Sequence, residues 1–139
     1  MIVTGNICLQ TKGNCDIIDI TDEVSRALTE SKLNAGTVTV FVTHSTVGIT
    51  TIENETGLIH DFTGLWERLI PESARYQHDA GIGEGNGHSH VRASLLGASL
   101  VVPFCERRLT LGTWQQIVLV DFDNRPRSRT IVLQFMGEL

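Results

Sequence analysis

This chain has little of what disulfide chemistry, a membrane helix or a polyanion partner requires. It has three cysteines, Cys8, Cys15 and Cys105, an odd number with no CxxC pair and no framework spacing. Burial as small hydrophobes is the expected state of all three; a reactive Cys105 beside Arg107 and Arg108 is the alternative. No stretch approaches the roughly 18 consecutive apolar residues of a membrane helix. The N-terminus shows neither the charged start nor the long apolar run of a signal peptide. A cytoplasmic protein without membrane contact is the expectation. Basic residues are scarce: 11 Lys and Arg against 16 Asp and Glu give a formal net charge of -5. That balance argues against nucleic acid or an anionic membrane as partner. No internal repeat, low-complexity tract or linker divides the sequence.

What is present fits one domain spanning residues 1–139. A hydrophobic content of 41% supports a real core. At this length that core is modest, and oligomerisation would add to it. Ile2 to Leu9 reads as a strand interrupted at Gly5, and Cys15 to Ile20 as a second, after a Lys12-Gly13-Asn14 turn. Thr21 is placed to cap a helix with Asp22 and Glu23 in its first turn. Val24, Ala27, Leu28 and Ser31 share one face of that helix, and Asn34 and Gly36 supply its stop. Thr37 to Thr43 and Val47 to Glu53 are strands joined at His44-Ser45. Leu58, Phe62, Leu65, Trp66 and Leu69 recur at helical spacing up to Pro71, with Phe62 and Trp66 as core anchors and His60 solvated. Tyr76 to Gly87 is a glycine-rich loop, of the length that often carries function. A short helix, Ser89 to Leu96, follows. Leu100 to Phe104, Gln116 to Phe122 and Thr130 to Phe135 are strands, the last two joined through Asp123-Asn124-Arg125-Pro126 as a hairpin. Mixed order without βαβ alternation predicts an α+β domain with an antiparallel sheet or sandwich and two to three helices.

Chemistry concentrates in histidine. His44 ends an apolar run, His78 precedes Asp79, and His88 and His90 flank Ser89 after Gly-Asn-Gly. Imidazole binds borderline metals and moves protons near neutral pH. On an extended segment His88 and His90 would project to one side and chelate; on a helix they would lie about 200° apart and could not. Solvated loop histidines are the plainer reading. Glu53, at a strand end, is a candidate general acid/base or outer partner, with an exposed acid as its plain alternative. Asp79 is placed to orient the His78 imidazole. In Leu111-Gly112-Thr113-Trp114-Gln115, Thr113 and Gln115 offer hydrogen-bond groups. Trp114 could stack on a flat ring, although spacing alone favours core packing. Arg125, Arg127 and Arg129 alternate and share one face of a strand. A solvated charged edge that blocks strand pairing is the plain reading; with a net acidic chain, local anion binding is slightly preferred there to nucleic acid.

Taken together, Thr43-His44-Ser45-Thr46, Glu53-Asn54, Tyr76-Gln77-His78-Asp79, Asn86-Gly-His-Ser-His90, Leu95-Leu96-Gly97-Ala98-Ser99 and Leu111-Gly-Thr-Trp-Gln115 resemble the YjbQ family over essentially the whole chain. The resemblance implies a compact α+β homotrimer with a histidine-lined pocket near subunit interfaces that holds a metal or an anion. It implies His44, His78 and His90 as pocket histidines, with His88 at a more variable position, and Glu53 beside them. Members are often labelled secondary thiamine-phosphate synthases, which implies joining a pyrimidine diphosphate to a thiazole phosphate with release of pyrophosphate. One departure stands out: Glu106-Arg107-Arg108 occupies a turn where the family carries glycine. The resulting expectation is a small metal-dependent enzyme acting on a phosphorylated small molecule. His44, His78, His88 and His90 are its metal candidates, Glu53 and Asp79 its catalytic ones, and Thr113, Trp114, Gln115 and Arg127 its substrate contacts. Zinc suits imidazole; magnesium, which prefers oxygen, is the alternative if the synthase reaction is real. Zinc-assisted hydrolysis fits these ligand types better than the synthase reaction. The competing expectation is a non-catalytic trimer that binds a small anionic metabolite.

Overall fold

A computed structural model describes residues 1–81 and 83–139; Ile82, inside the expected glycine-rich loop, lies outside the described residues. The run Gln116–Asp121 (β7) organises the fold. Ile117 to Phe122 are all buried, as expected of a strand covered on both faces. Ile117 and Leu119 face a core shared with Val38, Val40, Ile131, Leu133 and Phe135. Val118, Val120 and Phe122 face a second core built with Trp66, Ile70 and Ala93.

Two antiparallel sheets follow from this. The smaller has the order β2-β7-β4, with β2 at Asp16–Asp19 and β4 at Val47–Ile52. The larger has the order β1-β8-β3-β5-β6, from Ile2–Thr11 (β1), Arg127–Glu138 (β8), Ala35–Val42 (β3), Ser99–Cys105 (β5) and Arg108–Leu109 (β6). The first core fills the space between the sheets, closed by Val24 and Leu28 of helix α1, Thr21–Ser31. The second lies between the small sheet and helices α2, Thr56–Leu69, and α4, Gly87–Leu96. A short helix α3, Gln77–Gly81, precedes α4. The α+β class holds, with four helices among the described residues where two to three were expected.

Several local expectations change. β7 and β8 do not form a hairpin: β7 pairs with β2 and β4, and β8 with β1 and β3. The reason is in their patterns, since a strand buried on both faces belongs in the middle layer while β8 alternates. Residues 123–126 therefore carry the chain from one sheet to the other. Thr21 does not cap α1; its hydroxyl accepts the Ile117 N–H at 2.9 Å, and Asp19 accepts the Thr21 N–H at 2.9 Å. The helix ends when Lys32 turns left-handed, φ 64°. Gly36 lies inside β3, where a Cβ would fall 2.0 Å from the Met136 carbonyl oxygen. Gly5 does not interrupt β1 and pairs with Leu133. On α2, Trp66 is buried but Leu65 and Leu69 are exposed. None of the cysteines is fully buried: Cys8 and Cys105 are exposed and Cys15 half-buried.

Candidate functional site

The end of the sandwich where β3, β7 and β8 meet carries buried polar groups. Asp121 follows the period that aims Ile117 and Leu119 between the sheets, so its carboxylate enters that interior fully buried. Arg129 meets it with two bonds, Nε to Oδ2 at 2.6 Å and Nη2 to Oδ1 at 3.0 Å. Thr11 donates its hydroxyl to the same carboxylate, and Arg129 also reaches the Thr46 hydroxyl at 2.9 Å. Asp123 sits one step outward. It accepts from Arg127 Nε at 3.1 Å, Thr46 at 3.1 Å and the Asn86 amide at 3.3 Å. Burial pushes the Asp123 carboxyl up, but the Asn124 N–H, Asn86, Arg127 and Thr46 outweigh it and hold it below the usual carboxylate range. Arg129 is therefore an internal counter-ion. Arg125 is exposed, and Arg127 is half-buried and lines the adjoining cleft together with Arg129. β8 is an interior strand, which removes the charged-edge reading.

Above this network lies a cleft of about 360 Å³. Thr43, His44, Ser45 and Thr46, from the β3–β4 connection, form one wall, Asn86 and His90 of the α4 start another, and Arg127 the base. The His44 Nε2 accepts the Thr130 N–H at 2.9 Å. A neutral imidazole has one acceptor nitrogen, so Nδ1 of His44 carries the proton and is a donor. Burial first, then the Arg129 and Arg127 guanidiniums, push the His44 pKa below its ordinary value, with Asp121 opposing. His44 is built here as a neutral hydrogen-bond donor, with its lone pair already committed.

His90 and His78 are neighbours, ring centroids 4.6 Å apart. The His78 Nδ1 is buried without a hydrogen-bond partner, 3.6 Å from Asp79 Oδ1. That Asp79 oxygen accepts the Gly87 N–H at 2.8 Å and so holds the start of α4. Gly87 is required there: a Cβ would fall 2.6 Å from the Tyr76 Cβ. His88 is not with them. Residues 87–90 are helical, not extended, so His88 turns away from His90 and is buried beside Arg92. Burial and Arg92 push its pKa down, against Glu72, Asp79 and Glu67. Among the described residues no three His, Cys, Asp or Glu side chains converge as a ready metal cage.

The other expected residues lie elsewhere. Glu53, Thr113 and Trp114 line a separate cleft of about 560 Å³ with Asp19 and Glu55, sharing no lining residue with the histidine cleft. Trp114 is 71% exposed, so it does not pack in the core as spacing favoured. Gln115 closes its own turn by accepting the Gly112 N–H at 2.9 Å, and borders a third groove between β4 and β5. His60 is exposed on α2, as expected.

Asn86, Asp121, Asp123 and Thr46 belong to the site and were missed. The signal for the aspartates was the Asp-x-Asp step that closes an apolar run. For Asn86 it was the amide preceding a helix start. Its Nδ2 faces the Asp123 and Glu84 carboxylates, which fixes the amide, and its Oδ1 is buried without a partner.

Residues 5–138 match the family model described as UPF0047 protein YjbQ-like. A UPF0047 protein of Archaeoglobus fulgidus is 39% identical over 128 residues, covering 92% of this chain and 97% of the relative. One from Methanothermobacter thermautotrophicus is 38% identical over 137 residues, covering 99% and 94%. Among solved structures, a YbjQ-like protein of unknown function from Sulfolobus solfataricus superposes with a TM-score of 0.94 at 33% identity, covering 99% of both chains.

Proposed function

The chain belongs to the UPF0047 YjbQ-like family, and on that premise we propose that its histidine cleft binds a phosphorylated small molecule as an enzyme substrate. The observation that carries this reading is the pair of donors on that cleft, the His44 Nδ1–H and the Arg127 guanidinium, with the Ser45 hydroxyl beside them, on a lining that also holds the Glu84 and Asp123 carboxylates. Neutral and charged N–H donors at the edge of a buried ion network suit phosphate oxygens. The His78–His90 pair offers two nitrogen donors to a divalent metal, and the orphaned His78 Nδ1 is the feature that fits one. Imidazole donors favour zinc over magnesium. A third ligand would come from water, substrate or another subunit. A metal there would supply charge neutralisation for a leaving phosphate or pyrophosphate. Thiamine-phosphate formation and zinc-assisted hydrolysis are the two reactions to assay.

A second reading is supported by the committed lone pair of His44 and by the lack of a three-donor cage among the described residues. It is a non-catalytic site for a small anionic metabolite. Both readings take the protein to be a cytoplasmic homotrimer, and the apolar outer face of the large sheet supports assembly. No helix among the described residues is long and apolar enough to cross a membrane.

The test is metal per subunit in untagged, zinc-supplemented protein, with phosphate and pyrophosphate titrations and assays of pyrophosphate and phosphate release. Near-stoichiometric zinc lost in His78→Ala and His90→Ala, with His44→Ala keeping metal but losing anion affinity, is expected. Anion binding without metal or turnover favours the second reading. Wild-type protein that binds no anion overturns both.

A further inference from the structure

A second cavity, of about 220 Å³, adjoins the histidine cleft. His44 and Ser45 line both. Beyond them Ser94, near the end of α4, and Gly97 and Ala98, which lead into β5, form the walls, and Val47 and Ala93 the floor. Its lining among the described residues carries no Asp, Glu, Lys or Arg.

The polar atoms along those walls are largely spent on the fold. Gly97 donates its N–H to the Ala93 carbonyl at 2.9 Å, and its own carbonyl accepts the Ile49 N–H at 3.0 Å. The Ala98 carbonyl accepts the Val42 N–H at 2.9 Å, and the Ser94 hydroxyl donates to the His90 carbonyl at 2.8 Å. The walls therefore turn mainly hydrocarbon to the cavity. The same bonds tie them to α4, β4 and β3, so the cavity is formed before any ligand arrives. Small residues keep it open. A Cβ on Gly97 would meet nothing within 4 Å, and Ala98 ends at its first side-chain carbon. The histidine cleft has the opposite character: His44 offers its Nδ1–H, and among the described residues Arg127 commits only Nε, to Asp123, leaving its Nη pair.

Polar and apolar compartments that share a wall suit a ligand with one polar end and one apolar end. Resting on the anion-binding reading of the histidine cleft, we propose that its ligand is a phosphate monoester whose organic group is compact, uncharged and apolar, seated between Ser94, Gly97 and Ala98. A cavity of about 150 Å³ is enough for one benzene ring, so this one takes a single ring or a short branched chain. A polyhydroxylated group would surrender its bonds to water there and find few free partners, a cost that selects against it. Ala98 and Ser94 set this selectivity by where their side chains stop.

The experiment is calorimetric titration of zinc-supplemented protein with methyl, phenyl and glycerol phosphates at about pH 8, where each is a dianion. Phenyl phosphate is expected to bind about tenfold tighter than methyl phosphate, the effect of burying one small apolar group, and glycerol phosphate no tighter than methyl. Ala98→Leu and Ser94→Leu, at exposed positions, narrow the cavity from two sides. Each should bring phenyl phosphate down to the methyl phosphate affinity, with the wild-type urea midpoint retained. Methyl phosphate binding with no phenyl advantage overturns this proposal and leaves the anion reading standing. So does an advantage that survives both variants, or glycerol phosphate binding as tightly as phenyl. Failure of all three phosphates to bind overturns the anion reading and this proposal together.

Discussion

His44 shows how one hydrogen bond decides what a residue can do. Because its Nε2 holds the Thr130 N–H, protonation of the ring must break that bond as well as place a charge near Arg129 and Arg127. His44 and His88 both have folded pKa values below the ordinary 6.5. In the unfolded chain both rings take up protons near that value. The unfolded state thus binds more protons below about pH 7, and stability falls with pH there. Their contribution is complete above the unfolded pKa and is lost as pH falls through 6.5 toward the folded values. Glu55, held down by the Gly57 and Leu58 N–H groups, and Asp123 act in a separate window, below the ordinary carboxylate range. Urea unfolding should therefore show a midpoint that declines as the pH is lowered from about 7.5 to about 5, and His44→Gln should flatten that decline in part. A His44→Gln midpoint with the wild-type slope would remove His44 from this account. Arg129 makes the larger prediction. Arg129→Met leaves the Asp121 carboxylate, fully buried, without its counter-ion, at a cost of about 3–5 kcal/mol. Adding Asp121→Leu should return much of that loss, as denaturation of the single and double variants would show.

At the scale of elements, legibility followed pattern strength. The β-branched run at β3, the helical spacing of Leu58 to Leu69 and the Pro71 stop were readable because each reflects a local period. The two-sidedness of β7 was present in its unbroken apolar run, yet its partners depended on long-range pairing, which no window carries. The same limit hid the division of the site. His88 and His90 looked like a chelating pair only while residues 87–90 were taken as extended; helical geometry separates them. Trp114 and Glu53 looked like parts of one centre, and the fold gives them a cleft apart from the histidines. The β5–β6 hairpin makes an element-scale prediction. Its two-residue turn, Glu106-Arg107, has φ of 52° and 62°, the signature of a turn that favours Asn-Gly. Both residues are strained there. Glu106→Asn with Arg107→Gly should stabilise the chain by about 1 kcal/mol, raising the urea midpoint without altering the histidine cleft. An unchanged or lower midpoint would show that the Arg107 and Glu106 side chains compensate the backbone strain.

The whole molecule leaves one large surface uncovered. Helices cover the outer side of the small sheet, but no element among the described residues covers the outer side of the large one. Its outward positions include Ile2, Thr4, Asn6 and Cys8 of β1, Thr37, Thr39 and Phe41 of β3, Val101, Pro103 and Cys105 of β5, and Val132, Gln134 and Met136 of β8. On these four strands the outward charge is confined to Glu138, at the margin. Phe41 pairs across to Val132, and Thr39 to Val101, so the apolar side chains are interleaved with threonines over the centre. Contiguous apolar surface of this kind marks an interface. Cys8 and Cys105 lie on this face and are exposed; an assembly through it would cover them. Symmetry then sharpens the test. A face that meets its own copy gives a dimer, whereas a closed trimer requires it to meet a different surface of the neighbour. Light scattering is expected to give three chain masses, with Cys8 and Cys105 resistant to thiol reagents until unfolding. Phe41→Asp puts a charge at the centre of the face and should yield a folded monomer in which both thiols react. A wild-type monomer with fast-reacting thiols would sink the trimer. Two chain masses would retain the interface and change its symmetry. In either case the metal content of the Phe41→Asp monomer shows whether the His78–His90 pair depends on a neighbouring subunit for its remaining ligand.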